Sequence, residues 1–410
     1  MEPMTDRTAP LSSLEARLAA RVRNVPPSGI RRFFEIAATM DDVISLGIGE
    51  PDFVSPPAAI EAAIASLRAG QTGYTANAGL IELREAIAEE LARRYGVRYD
   101  PAREILVTVG VAEGIQLAML ALVEPGDEVL IPEPCFVSYG PTATFAGGRV
   151  VYVPTSVEND FQVTAADLEP YITPRTKVLM IGYPNNPTGA VLRRKTMEEI
   201  GELVVRHDLF VISDEIYDRL IYGRAYAEGH VCVPSIPGLR ERTVLLGGFS
   251  KDYAMTGWRI GYACAPEPIL KAMYKLHQYM VMSAPTMGQV AALAALREAQ
   301  EDVERMRRAY DERRRVIVDG LRAAGLPTFE PEGAFYCFPD IRSTGLTSEE
   351  FAQRLLREER VAVVPGDAFG PSGAGYVRCA YATSLEHIRE AVRRIQRFVA
   401  RVKEERRVET

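Results

Sequence analysis

One lysine in this chain is placed unlike the others. Six lysines stand among 48 basic residues. Lys177 opens an apolar run, Lys195 follows two arginines in a polar stretch, Lys271 and Lys275 lie one helical turn apart, and Lys403 belongs to the charged tail. Lys251 alone is glycine-flanked in largely apolar surroundings, in GGFSKDYAMTGWRIGY at 247–262, just past the apolar run TVLL at 243–246. A desolvated lysine beside another cation is partly neutral and can condense with an aldehyde to a Schiff base. The alternative role, a structural ion-pair partner, is weakened by the scarcity of lysine elsewhere.

Asp214 closes the run LFVISD, where a carboxylate is costly to bury without a partner. It can cap a helix begun by EIYDRL, or face a cationic heterocycle and hold its ring nitrogen protonated. Gly110, Val111 and Ala112 open a helix straight after the strand-like EILVTVG at 104–110, and free amides with the helix dipole make such a turn an anion site. Ser250 and Arg259 would bring a hydroxyl and a forked, permanently charged donor to the same anion. The glycines at 247 and 248 adjoin, and Asp252 follows the lysine where a phosphate-binding P-loop needs Ser or Thr. An aldehyde, a phosphate and a protonatable ring in one ligand describe pyridoxal 5′-phosphate.

The elements that must position these residues alternate. PPAAIEAAIASLRAG and LIELREAIAEELARRYG pattern as amphipathic helices, the first with proline at its start and glycine at its end. The runs EILVTVG, EVLIP, RVVYVP, KVLMIGYP, LFVISDEIY, TVLLGGFS and RIGYACAP are short, aliphatic or β-branched and closed by Pro, Gly, Ser or Asp. Helix-length segments separate several of them, as a mostly parallel α/β sheet requires. In such sheets the binding crevice lies beyond the carboxyl ends of the strands, and Gly110, Pro184–Gly189, Asp214 and Lys251 all fall there. From about 290 one long helical stretch, MGQVAALAALREAQEDVERMRRAYDERRRVIVDGLRAAG, leads into GAFYCFPDI, VAVVPGDAF and YVRCAYA. The expected layout is an N-terminal arm over 1–50 packing on the small domain, a large α/β domain over 51–290 with a mostly parallel sheet flanked by helices, and a smaller α+β domain over 291–410.

GFSKDYAMTGWRIG at 248–261 resembles the lysine-site signature of class I/II aminotransferases, pyridoxal-phosphate enzymes of fold type I. LGIGEPDF (46–53), GYTANAGLIELREAI (73–87), PNNPTG (184–189), SDEIY (213–217) and YVRCAYA (376–382) resemble further family motifs in family order. The resemblance covers nearly the whole chain. It implies that Lys251 forms the Schiff base and shuttles the substrate proton, that Asp214 pairs with the pyridinium nitrogen, and that Asn186 and Tyr217 hydrogen-bond the phenolic oxygen. Phe136, in PEPCFVSY, would stack on the ring; a plain core position is the other reading. Gly110, Val111, Ala112, Ser250 and Arg259 would hold the phosphate. Tyr74 resembles the tyrosine that reaches a neighbouring subunit's phosphate, which implies a homodimer with active sites at its interface. Arg378 would clamp the substrate α-carboxylate, helped by Asn186 and the backbone near Gly49.

Two departures from the family pattern bear on specificity. Gly248 stands where many members carry serine, so one phosphate hydroxyl is missing and Ser250 must do more. The stretch LHQYMVMSAPT (276–286) has no arginine and Ala112 stands where some members have lysine. Both routes to a cation for an aspartate side chain are missing, and Tyr279 and Met280 suit apolar or aromatic side chains better. The resemblance thus implies an aminotransferase of broad range, exchanging an amino group between an L-amino acid of aromatic, aspartate or alanine type and a 2-oxo acid such as 2-oxoglutarate by a ping-pong route. A β-lyase or decarboxylase on the same scaffold is the alternative, because orientation to the ring decides which bond breaks. A cofactor-binding transcriptional regulator would need a sizeable DNA-binding module ahead of SLGIGEPDF, where only a short arm stands.

Bulk properties exclude other classes. A net charge of −7 argues against a nucleic-acid surface. No segment reaches transmembrane length, and the N-terminus lacks a signal-type apolar core. Five scattered cysteines without a CxxC suggest reduced thiols and a cytoplasmic location, and four histidines show no metal spacing.

Overall fold

The computed structural model describes residues 11–27 and 40–409. The N-terminal arm expected over 1–50 therefore falls in part, at 1–10 and 28–39, outside the described residues. Twelve strands matter here: β1 (Ile44–Ser45), β2 (Ile105–Thr108), β3 (Glu128–Glu133), β4 (Arg149–Pro154), β5 (Thr176–Gly182), β6 (Phe210–Asp214), β7 (Thr243–Gly248), β8 (Gly261–Cys264), β9 (Tyr336–Cys337), β10 (Val361–Ala362), β11 (Val364–Pro365) and β12 (Val377–Ala380). The helices used below are α1 (Pro57–Arg68), α2 (Ile81–Tyr95), α3 (Gly110–Leu122), α4 (Arg194–Arg206), α5 (Glu267–Met280), α6 (Thr286–Glu298) and α7 (Gln300–Ala323).

The main sheet has the order β2-β8-β7-β6-β5-β3-β4. The run from β4 to β7 is parallel, and β8 lies antiparallel to both β7 and β2. Helices cover this sheet, so most of its strands are buried rather than alternating between a buried and an exposed face; β2, at one edge, and β3 are buried at every position. Register brings the chemistry to one edge. Gly182 pairs with Asp214, Asp214 with Leu246, Gly248 with Gly261, and Gly261 with Thr108. The turns after β5, β6, β7 and β2 must therefore meet beyond that edge.

A three-stranded antiparallel sheet, β11-β12-β9, and the parallel pair β1-β10 form the rest. Leu46 links them: its N–H donates to Ala362 O at 2.8 Å and its carbonyl accepts from Ala380 N at 2.6 Å. This stitch holds residues 46–50 against β12 and beside the main cleft.

Helix ends follow their sequence signals. Proline occupies the first turn of α1, and Gly96 takes a left-handed φ of 70° just past α2. One expectation fails, and one of the two readings of Asp214 falls away. The stretch from 287 is two helices, broken at Ala299, because the Gln300 side chain donates from Nε2 to Leu296 O at 2.6 Å, the acceptor that the Gln300 backbone amide would take in an unbroken helix. EIYDRL begins no helix but a tight turn, so Asp214 is not a helix cap.

Candidate active site

Each strand end contributes one part of a cleft of about 420 Å³. Its wall includes Gly49, Val111, Ala112, Phe136, Asn186, Asp214, Tyr217, Ser250, Lys251 and Arg259. These segments lie up to two hundred residues apart in sequence and are gathered by the register just described.

The anion-facing side is the start of α3. Strand β2 ends at Thr108 and the helix begins at Gly110, with no side-chain cap from Val109. Glu113 Oε2 takes the Val109 N–H at 2.5 Å, while the first-turn amides have no intrahelical acceptor. Gly110 has φ of 69°, and a Cβ there would come within 2.7 Å of Arg259 Nη2. The left-handed backbone favours glycine here, and a larger residue would also shift the guanidinium laid across it. Arg259 is itself left-handed and exposed, and donates to Thr256 O at 2.9 Å. Ser250 completes this end. These donors suit a phosphate.

Asp214 lies buried at the floor. Its Oδ2 accepts from the Tyr139 hydroxyl at 2.8 Å and its Oδ1 from Ile216 N at 3.3 Å. Gly182 makes room for Tyr139, since a Cβ at 182 would meet the phenol oxygen at 2.2 Å. Burial pushes the Asp214 carboxyl up to about 6, against the opposing pull of Tyr139, Ile216 and Lys251. A carboxylate so held gains from a protonated ring nitrogen close by.

Lys251 is partly buried and makes no ion pair among the described residues; its Nζ donates to Gly49 O at 2.7 Å. Three other lysines lie within 4 Å of a carboxylate: Lys177 at 2.8 Å from Asp127, Lys195 at 3.9 Å from Glu199 and Lys271 at 2.7 Å from Glu267. Burial, then the Arg378 guanidinium, lower Lys251 to about 8 despite Glu50 and Asp214. It therefore supplies a neutral amine at mildly alkaline pH.

Arg378 projects from β12 and is buried, with only neutral partners. Nη1 donates to Asn186 Oδ1 at 2.9 Å and Nη2 to Gly47 O at 2.5 Å, while Nε is buried without a partner. The Tyr336 and Phe369 rings flank it at 4.5 and 4.9 Å, and burial lowers its pKa. A desolvated guanidinium with no carboxylate among the described residues fits an incoming one. Tyr217 shares a 2.8 Å hydroxyl contact with Tyr336.

Of the residues expected from sequence, Gly110 lies beneath Arg259 rather than on the wall, Arg378 reaches the cleft through Asn186, and Tyr74 stands apart, 83% exposed. Phe136 is on the wall, edge-on to Tyr139 with ring centroids 5.6 Å apart. Sequence reasoning missed Tyr139 and Tyr336. Tyr139 follows Phe136 by three residues, the spacing that puts two side chains on one side of a helical turn. Tyr336 carried no comparable signal. Among the described residues no cluster of His, Cys, Asp or Glu could hold a metal.

The chain is similar to known proteins over most of its length. The family model described as aminotransferase class I and II matches residues 41–395. An aspartate aminotransferase of Pyrococcus abyssi is 48% identical over 384 residues, covering 93% of this chain and 98% of that protein. An aromatic-amino-acid aminotransferase of Thermococcus litoralis is 44% identical, again over 93% and 98%. The solved aromatic aminotransferase from Pyrococcus horikoshii superposes with a TM-score of 0.86 at 47% identity, covering 91% and 99%.

Proposed function

The chain belongs to the class I and II aminotransferase family, and from that membership we propose a broad-range enzyme that works as a cytoplasmic homodimer on aromatic, aspartate-type and alanine-type amino donors. That it is a pyridoxal-phosphate-dependent aminotransferase, moving an amino group between an amino acid and a 2-oxo acid, follows from the family and its relatives. The observation that carries the site assignment is the convergence on one cleft of a lysine and, through Asn186, a buried arginine that have no carboxylate partner among the described residues, with a buried aspartate.

Pyridoxal phosphate, when bound, supplies an aldehyde carbon to receive the amino group and a ring to take up the electron pair of the broken Cα–H bond. The remaining work belongs to side chains. Arg378 grips the substrate α-carboxylate in a fork, oriented by Asn186, with the Gly49 backbone beside it. Lys251 Nζ, neutral in good part near pH 8, would take the Cα proton and pass it to the cofactor's aldehyde carbon. Asp214, held by Tyr139, would keep a positive charge on the ring nitrogen. Asn186 and Tyr217 would donate to the ring's phenolic oxygen, and Phe136 would stack against the ring. Ser250, Arg259 and the amides of Gly110, Val111 and Ala112 would hold the phosphate, with Tyr74 of a second copy reaching it. Residues 51–290 would form the cofactor domain and 291–410 the mobile smaller one, with 1–50 as the arm; the β1–β10 pairing supports that division. Five cysteines, all buried and free, suit a reducing cytoplasm.

The test is a donor matrix. The holoenzyme is mixed with 2-oxoglutarate and L-phenylalanine, L-tyrosine, L-aspartate or L-alanine in turn, and glutamate and the new 2-oxo acid are measured together. Equimolar formation of both, abolished by Lys251→Ala, is expected with aromatic donors and with at least one of the smaller two. Donor consumption with release of ammonia or carbon dioxide and no glutamate would replace this reading by a lyase or decarboxylase.

A further inference from the structure

A second cavity, of about 440 Å³, shares no wall residue with the cleft. It opens between the end of α2, the turn after β6, the 226–235 loop and the first turns of α4 and α7. Four arginines face it, Arg94, Arg194, Arg219 and Arg307, against two glutamates. Both glutamates are already engaged. Arg307 holds Glu304 through two bonds of 2.8 and 2.7 Å, and Glu228 is taken by Arg193 and Arg224, which lie off this wall, at 3.1 and 2.7 Å.

That leaves three guanidinium groups without a close carboxylate among the described residues, although Arg94 also donates to the Tyr95 hydroxyl at 3.3 Å, which in turn donates to Asp218. Arg219 donates only to neutral acceptors, the Tyr253 hydroxyl at 2.6 Å and Gln300 Oε1 at 2.7 Å, and has no carboxylate within ion-pair distance among the described residues. For Arg194 and Arg94 the nearest acid, Glu198 or Glu90, is 3.9 Å away. One more donor waits on the same wall, the Ser235 hydroxyl, buried without a partner among the described residues. The His230 side chain, 7% exposed, lines the wall beside it with Nε2 engaged on Glu215 at 2.7 Å. Ile221, Val303 and the Tyr226 ring add an apolar side.

We propose that this cavity is a binding site for a small organic phosphate. Its donors come from α2, the turn after β6, the 226–235 loop and α4, a spread in direction that meets the three oxygens of a phosphate better than the planar pair of a carboxylate. The volume is in the range of small-molecule sites, with the apolar side left for the carbon body. The site lies outside the aminotransfer machinery, so its occupancy is separable from catalysis.

Calorimetric titration of the holoenzyme with glycerol 3-phosphate, in phosphate-free buffer, tests it. One equivalent should bind per chain. Arg194→Glu, which places an acid at a helix N-terminus where acids are tolerated, should weaken binding about tenfold or more. Ser235→Ala should also weaken binding while leaving the melting temperature unchanged, because its hydroxyl has no partner to lose. Arg378→Gln should leave binding intact. Absence of binding, or binding lost in Arg378→Gln and kept in Arg194→Glu, would overturn the proposal. Inorganic phosphate binding as tightly as the ester would overturn the organic-phosphate assignment, since the apolar side would then contribute nothing.

Discussion

At the scale of single residues the cleft trades stability for chemistry. Asp214 is held at about 6, above the ordinary carboxylate value of 3.8, mainly by burial. The folded protein therefore binds more protons than the unfolded chain between about pH 4 and pH 6, and this group's contribution to stability falls as pH rises through that window and is flat above it. A residue that cannot ionise escapes the loss. Cofactor-free Asp214→Asn should match the wild type near pH 4 and exceed its unfolding free energy by on the order of 2 kcal/mol at pH 7.5, read by urea unfolding at the two pH values. Equal stability at both would show that Asp214 is not desolvated. Lys251 and Asp214 are legible in the sequence because each stands where an apolar strand ends, a place no side chain of their kind reaches without cost. Arg378 is ambiguous among so many arginines. Tyr139 offers only its spacing from Phe136, and its use depends on the space left by Gly182, a contact forty-three residues away.

At the scale of elements the start of α3 is the most constrained piece. Its backbone is set by Gly110, its last free upstream amide is taken by Glu113, and Glu113 is in turn held by buried His277 Nδ1 at 2.7 Å from α5. Gly110→Ala would force a left-handed alanine, worth roughly 1–2 kcal/mol, and push Arg259 off the turn. Its affinity for pyridoxal phosphate should fall tenfold or more while circular dichroism stays unchanged; fluorescence titration of the cofactor-free protein measures it. Unchanged affinity would move the phosphate elsewhere. The strands and most helices are legible because their periodicity and their Gly and Pro boundaries are local. The break at Ala299 is not: the flanking residues favour helix, and the Gln300 side chain that ends α6 also accepts from Arg219 at 2.7 Å, a residue eighty-one positions away.

At the scale of the whole molecule the single chain leaves a surface unfinished. Tyr74 and Tyr279 are 83% and 90% exposed, and Met280 and Met282 are about half exposed. These residues are neighbours, since Asn77 donates to Met282 O and Thr286 to Gly73 O, each at 2.7 Å. Apolar side chains pinned in this way mark an interaction face. Sedimentation should give twice the 45.3 kDa chain mass, and the pair Tyr279→Glu with Met282→Glu should yield monomers with most activity lost. Fully active monomers would sink the shared-site proposal.

The bond between Lys251 Nζ and Gly49 O has one more consequence. The nitrogen that anchors this carbonyl is the one a cofactor aldehyde must take, and a nitrogen joined to carbon has given up hydrogens it was donating. Cofactor capture is therefore an exchange of ties. As the lysine is committed, the strap at 47–50 would give up one tie, and Arg378 at Gly47 O, Thr256 at Glu50 and Leu46 on β10 and β12 would be left to hold it. Its cleft-side hold would pass from the lysine to Arg378, the group proposed to meet the substrate carboxylate.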